Sequence, residues 1–260
     1  MKYIYWNNTQ ILKQNPIQLL YGLHPVAEAI NSGKEINKVL IRRGLKGDLF
    51  MSMFARIREE GIPYQYVPIE KLNRTVRGNH QGIVAFLSLI EYKALEEIVQ
   101  RTFEAGRDPF ILVLDRITDV RNFGAVARTA ECAGVDLIVI PDKESVSITP
   151  DAIKTSAGAL NRIAVSRQKD LAEALKYLKE SGISLVAVTE KSDNYYFSGE
   201  LTGPVALLLG AEDTGISKNL LALTDRQVKI PLEGSLESLN VSVACGIVAF
   251  EVVRQRKIHT

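Results

Sequence analysis

Cysteine is scarce in this chain of 260 residues. Cys132 and Cys245 are the only two, they stand far apart, and no C-x-x-C occurs, which excludes a disulfide scaffold and a cysteine-rich zinc site. Both sit in small, apolar sequence surroundings and are expected as buried free thiols. No metal site is expected. Long apolar runs are missing as well. Without a stretch of about 18 such residues no membrane span is expected, and the opening MKYIYWNNTQ lacks the apolar core of a secretory signal. A soluble, cytoplasmic protein follows as the expectation. Internal repeats and low-complexity segments are lacking, and the formal net charge of +2 singles out no partner.

What is present is an ordinary globular balance, 46% hydrophobic and 24% charged, in a length that suits one or two domains with a sizeable core. The small net charge hides a split. Residues 1–90 carry +6, residues 91–107 carry −1 and residues 108–260 carry −3. A basic front on an acidic back hints at a division of labour. Residues 1–15 have no clear period and read as a tail. Residues 16–90 read as a small αβ module, with helices at 24–30 and 49–60 stopped by Gly33 and Gly61 and strands at 39–41, 64–67 and 83–87. Residues 91–108 are charged and amphipathic and end in Gly106-Arg107-Asp108-Pro109, so the linker is expected there.

The remainder, 109–260, alternates. Strands are expected at 110–114, 136–140, 183–188, 204–209 and 227–230, and helices at 122–133, 150–161, 170–181, 217–223 and 239–257. This βα alternation means a largely parallel sheet covered on both faces. Such sheets bind ligands beyond the carboxyl ends of their strands, so the loops after 114, 140, 209 and 230 matter most.

Three of those loops are unusual. In the first, Asn122 is placed to cap the following helix, and Arg121 and Arg128 put positive charge where a helix start prefers acids. A nicotinamide-binding loop would put G-x-G-x-x-G here; only Gly124 is present, which disfavours a dinucleotide site. In the second, an apolar strand runs into Gly210-Ala211-Glu212-Asp213-Thr214-Gly215, two glycines around an acid. In the third, Ile230 and Pro231 lead to Ser238-Leu239-Asn240-Val241-Ser242 ahead of a strongly apolar last helix. Ser238 reads as a possible N-cap, with Asn240 and Ser242 inside the first turns. Each loop alone is also compatible with plain capping, turns and packing.

In this order and spacing the three motifs resemble the SpoU group of the SPOUT superfamily, the RNA 2′-O-ribose methyltransferases. The N-x-G-x-x-x-R motif is Asn122, Gly124 and Arg128. The G-x-E-x-x-G loop is Gly210, Glu212 and Gly215. The third is Pro231 followed by Ser238, Leu239, Asn240, Ser242 and Ala244. The front half is similar to the family's ribosomal-protein-like substrate-binding module through Tyr21-Gly22-Leu23-His24-Pro25-Val26 and His80-Gln81-Gly82-Ile83. One departure is Val120, where the family often has Pro; a proline there would only stiffen the turn.

The resemblance implies an α/β SPOUT-type parallel sheet with a C-terminal trefoil knot behind a small αβ substrate-binding domain. It implies S-adenosylmethionine as cofactor, held by Gly210, Ile230 and Leu239. It implies a homodimer with the site at the subunit interface, and catalytic roles for Asn122, Arg128, Glu212, Ser238 and Asn240. Arg128 cannot serve as a general base, because its pKa exceeds about 12; positioning and charge stabilisation suit it better. RNA would be gripped by Arg42, Arg43 and Lys46 and by a second cluster with Arg74 and Arg77, beside Lys71. His80 reads as structural. The substrate implied is RNA, a guanosine of 23S ribosomal RNA ahead of transfer RNA. A nonenzymatic RNA-binding or assembly factor and a nucleotide-dependent oxidoreductase are the competing readings.

Overall fold

The computed structural model describes residues 19–258. The expected tail, 1–15, lies outside the described residues. The front module runs β1 (Leu19–Tyr21), α1 (Leu23–Asn31), β2 (Ile36–Arg42), α2 (Asp48–Glu59), β3 (Tyr64–Val67), α3 (Ile69–Thr75) and β4 (Ile83–Leu87). Its sheet has the order β1-β4-β2-β3, with β2 and β3 parallel and the other pairs antiparallel. Side chains alternate across a strand. Val39 and Ile41 therefore meet Val26, Ile30, Met53 and Ile57 of α1 and α2, while Leu40 meets Leu72 of α3 on the other face.

The expected linker contains a helix, α4 (Leu95–Glu104), whose Leu95, Ile98 and Val99 belong to the core of the second sheet. The amphipathic face visible at 91–108 is thus a packed face. The second unit continues with β5 (Phe110–Asp115), α5 (Val120–Cys132), β6 (Leu137–Pro141), α6 (Pro150–Thr155), β7 (Ala164–Gln168), α7 (Leu171–Glu180), β8 (Ser184–Val188), β9 (Val205–Gly210), α8 (Lys218–Leu221), β10 (Arg226–Val228) and α9 (Val241–Ile258). All neighbours in the sheet, ordered β10-β8-β9-β5-β6-β7, are parallel. Every residue of β5 is buried. Phe110, Leu112 and Leu114 face α5 and α9, whereas Ile111 and Val113 face α4 and α7.

Three expectations about elements change. β7 was not expected, because Ala164-Val165-Ser166-Arg167-Gln168 has little apolar signal; Ser166 is nevertheless buried and accepts a hydrogen bond from Gln168 Nε2 at 2.8 Å. The helix expected over 150–161 stops at Thr155, where Ala157 and Gly158 turn left-handed (φ +51° and +83°) before a short 3-10 turn. Cys132 is exposed, unlike Cys245, because it ends α5 on the outer side. Burial pushes the Cys245 thiol up to about 12. A thiol reagent at pH 8 is expected to modify only Cys132 in the native protein and both cysteines after denaturation. Rapid modification of both in the native state would contradict this packing.

The two units meet on polar contacts. Arg167 of β7 donates to Asn37 Oδ1 at 3.0 Å and to the Tyr92 hydroxyl, its guanidinium 3.9 Å above the Tyr92 ring. Asn37 Nδ2 donates to the Ile148 carbonyl at 3.1 Å, and Lys169 Nζ to the Glu59 carbonyl at 2.7 Å.

Candidate active site

From β5 the chain steps outward through β6 and β7, then crosses back to build β8 on the other side, with β9 filling the place between β8 and β5. The sheet order reverses there, and a crevice opens at the carboxyl ends of β5, β9 and β8.

The loop after β9 closes on itself. Gly215 N donates to the Ala211 carbonyl at 2.8 Å, and Gly215 takes φ +64°. A Cβ on Gly210 would stand 2.2 Å from Gly215 C and 2.3 Å from Ile216 N, so only glycine fits. Beside it, in register, Asp115 ends β5. Its buried carboxylate accepts from Arg116 Nε at 3.1 Å, from Ser217 N at 2.7 Å and from Ser217 Oγ at 2.6 Å. Arg116, at a left-handed φ of +57°, also donates to the Gly215 carbonyl at 3.1 Å. Those bonds to Asp115 hold the Arg116 guanidinium even more firmly charged than usual. This clasp between the first and second loops was missed by the sequence reading. Its signal was an acid and an arginine closing an otherwise apolar strand.

Asn122 does not cap α5. Asp119 does, accepting from Arg121 N at 2.9 Å and Asn122 N at 2.8 Å. That leaves the Asn122 side chain free to face the crevice. Gly124 lets α5 lie on α6: a Cβ there would come within 2.7 Å of Thr155 Cβ. Nor is Ser238 the cap of the last helix. Asn240 takes that place, its Oδ1 accepting from Ser242 N at 3.0 Å and from Ser242 Oγ. Asn240 Nδ2 then donates to Asn122 Oδ1 at 2.9 Å and to Glu212 Oε1 at 2.5 Å. A backbone N–H on one side and a carboxylate on the other fix which way this amide points. Glu212 Oε1 also accepts from Val241 N, at 3.4 Å, placing a carboxylate at the start of α9 where the helix dipole favours it. Residues from all three motifs, 118 positions apart at the extremes, are thus joined in one chain of hydrogen bonds.

Two clefts open on either side of this chain. One, of about 250 Å³, is lined by Gly210, Ile230, Leu239 and Ser238, with the Ala211–Gly215 loop and Val188–Lys191 after β8. The other, of about 520 Å³, is lined by Arg116, Thr118, Asp119 and Asn122. Ala211–Thr214 and Val241 border both. The Val188–Lys191 wall was not anticipated, although the rule that selected the other strand ends applies to β8 equally. Arg128 stands apart. It lies six residues beyond Asn122, about 9 Å along α5 and about 120° around it, and it is exposed without a hydrogen bond or ion pair among the described residues.

In the front module Arg42 ends β2 and Arg43 and Lys46 follow it, while Arg74 lies in the last turn of α3 and Arg77 follows that helix. Arg43, Lys46, Arg74 and Arg77 are exposed and Arg42 partly so. His80 is buried, its Nδ1 accepting from Gly82 N at 2.9 Å and its Nε2 facing Asn73 Oδ1 at 2.8 Å. Both nitrogens are used to shape the turn, a structural role.

Comparison with known proteins gives this geometry a lineage. Residues 109–250 match the SpoU rRNA Methylase family, and residues 19–93 match the RNA 2′-O ribose methyltransferase substrate-binding family. The chain is 33% identical over 235 residues to YacO of Bacillus subtilis, assigned to the TrmH family of tRNA/rRNA methyltransferases, covering 90% of this chain and 94% of that one. Among solved structures, the SpoU methyltransferase AviRb of Streptomyces viridochromogenes, determined with AdoMet, superposes with a TM-score of 0.59 at 24% identity over 92% of this chain and 90% of its own. The TrmH/SpoU tRNA modifying enzyme of A. aeolicus superposes with a TM-score of 0.54 at 26% identity over 64% of this chain and 85% of its own. The chain belongs to the SpoU family and is an RNA 2′-O-ribose methyltransferase.

Proposed function

We propose that this protein methylates a ribose 2′-OH in structured ribosomal RNA, a guanosine of the 23S molecule, with S-adenosylmethionine as cofactor, and that it works in the cytoplasm as a homodimer of trefoil-knotted chains. The observation that carries the reading is the Asn122–Asn240–Glu212 chain standing between two clefts. The first cleft suits the cofactor. Ile230, Leu239 and the close backbone of the 210–215 loop offer an apolar slot with peptide groups for a purine. Its charged lining is Glu190, Glu212, Asp213 and Glu237 against Lys191 alone. Such a field favours a ligand bearing sulfonium and ammonium charges and opposes the pyrophosphate of a dinucleotide, which disfavours the oxidoreductase reading.

When bound, S-adenosylmethionine supplies an electrophilic methyl carbon. The protein's own residues orient the acceptor. Asn122 Oδ1 accepts from Asn240, so its amide nitrogen is the group left to hold the ribose or phosphate entering the second cleft. Glu212 fixes Asn240 and so acts through it as a positioning residue. Ser238 serves the wall of the first cleft. Arg128, too far round α5 to reach Asn122 of its own chain, serves the site of the partner subunit by holding the phosphate beside the acceptor and balancing charge as the proton leaves. α9 supports the dimer: it is apolar nearly all round, yet Val243 and Phe250 are 50% and 48% exposed.

The two-unit build favours ribosomal RNA, since the A. aeolicus tRNA modifying enzyme corresponds to only 64% of this chain. The test is methyl transfer from labelled cofactor to total RNA, followed by mapping of 2′-O-methyl sites in cells with and without the gene. Loss of one site in ribosomal RNA with transfer RNA unchanged is expected. Loss confined to transfer RNA would overturn the substrate, and no incorporation into any RNA would favour the nonenzymatic reading.

A further inference from the structure

A third cavity, of about 790 Å³, lies between the two units. Its walls carry Lys38, Arg58, Lys143, Arg167 and Lys169 against Asp142 and Glu144. Arg167 and Lys169 are engaged in the contacts that join the units. Lys38, Arg58 and Lys143 make no ion pair or side-chain hydrogen bond among the described residues. Burial, with Lys71 nearby, lowers the Lys38 pKa, and an incoming phosphate would relieve that penalty. Ser145 on the same wall has a buried hydroxyl with no partner. Stable folds rarely leave such groups unserved without a use.

Aromatic surface completes the cleft. Tyr64 lines it and is 40% exposed; Tyr66, next on the same face of the edge strand β3, is 43% exposed, and the rings meet edge to face at 5.7 Å. Cations that track a backbone beside exposed rings are the pattern of single-stranded nucleic-acid binding. The cleft also leads somewhere. Glu144, held at φ +52°, lines both this cavity and the second cleft of the active site, so the 142–147 loop is the partition between them.

We infer that the cleft between the units holds the single-stranded RNA flanking the target nucleotide, with phosphates on Lys38, Arg58 and Lys143 and a base stacked on Tyr64, and delivers that nucleotide over the 142–147 loop to Asn122. This rests on the reading of the chain as an RNA-modifying enzyme. It separates guidance by the cleft from capture by Arg42, Arg43, Arg74 and Arg77 at the front of the module. Glu144 opposes phosphate at the partition, which keeps the backbone on the lysine side while the base passes.

The experiment measures binding of a fluorescein-labelled single-stranded oligouridine of about 12 nucleotides to the full chain by anisotropy across a salt series. The triple variant Lys38→Gln/Arg58→Gln/Lys143→Gln is expected to bind about tenfold more weakly near 0.1 M salt and to lose about 2 from the log–log salt slope, as three lost phosphate contacts require. Tyr64→Leu should weaken binding without changing the slope. Lys38→Arg/Lys143→Arg should bind as wild type, which guards against misfolding as the cause. An unchanged affinity and slope in the triple variant would overturn the inference, as would an equal loss with a duplex of the same length. Because binding is read without chemistry, a wild-type protein that transfers no methyl group yet shows the cleft-dependent slope would remove the proposed function and leave the cleft standing.

Discussion

Replacing Gly210 with alanine is expected to abolish cofactor binding and to lower stability by about 3 kcal/mol, the upper range for overpacking. The added carbon would stand 2.2–2.4 Å from the backbone of Gly215 and Ile216, and backbone cannot rotate aside as a side chain does. To accept it the 210–216 loop must open. That breaks the Gly215–Ala211 hydrogen bond and withdraws Gly215 from Arg116. The first cleft loses its floor and Glu212 its hold on Asn240 in the same movement. Calorimetry with S-adenosylmethionine and urea unfolding check the two parts. A variant that binds cofactor within about threefold of wild type would mean the loop is looser than described.

The second large effect concerns Arg128. Arg128→Ala is expected to lower turnover by about 10²–10³-fold while cofactor affinity holds, because the arginine acts where charge develops and not at the first cleft. Asn240→Ala should be as damaging, since it releases Asn122 and Glu212 together. If Arg128 serves the neighbouring subunit's site, two inactive variants complement one another. A mixed dimer of the two keeps one site with Asn240 from one chain and Arg128 from the other. Refolding an equal mixture should recover roughly a quarter of wild-type activity, because half the dimers are mixed and each has one working site of two. No recovery above the separate variants would refute the shared site.

The sequence was most informative in the polar loops that follow the apolar strands. Asn122, Glu212 and Asn240 were legible from the three loop motifs taken together and do meet. Strands β5, β6, β8 and β9 were legible from unbroken apolar runs, because a strand buried on both faces has no polar side to interrupt it. Where burial rests on hydrogen bonds, pattern gives no warning. β7 carries a buried serine and an arginine committed to the other unit, so it reads as polar chain. Helix starts were misplaced for a related reason. Asp119 competes with Asn122, and Asn240 with Ser238, as equally good capping types, and only tertiary contacts decide between them. Roles shared across motifs, such as the Asp115 clasp on Ser217 at a separation of 102 residues, have no local signature.

The place of β9 in the sheet has a consequence for how the molecule assembles. β8 pairs only with β10 and β9, and β5 only with β6 and β9. Without residues 205–210 β8 has no link to β5, and an empty slot remains where both would expose backbone. β9 is therefore a closing wedge, and its pairing of Phe110 with Val205 bridges a long stretch of chain, the kind of non-local contact that slows folding. Its last residue is Gly210, from which the cofactor cleft springs. The other walls of that cleft, Ile230 and Leu239, lie further along the chain, so a growing chain completes its active site only after β9 has been made.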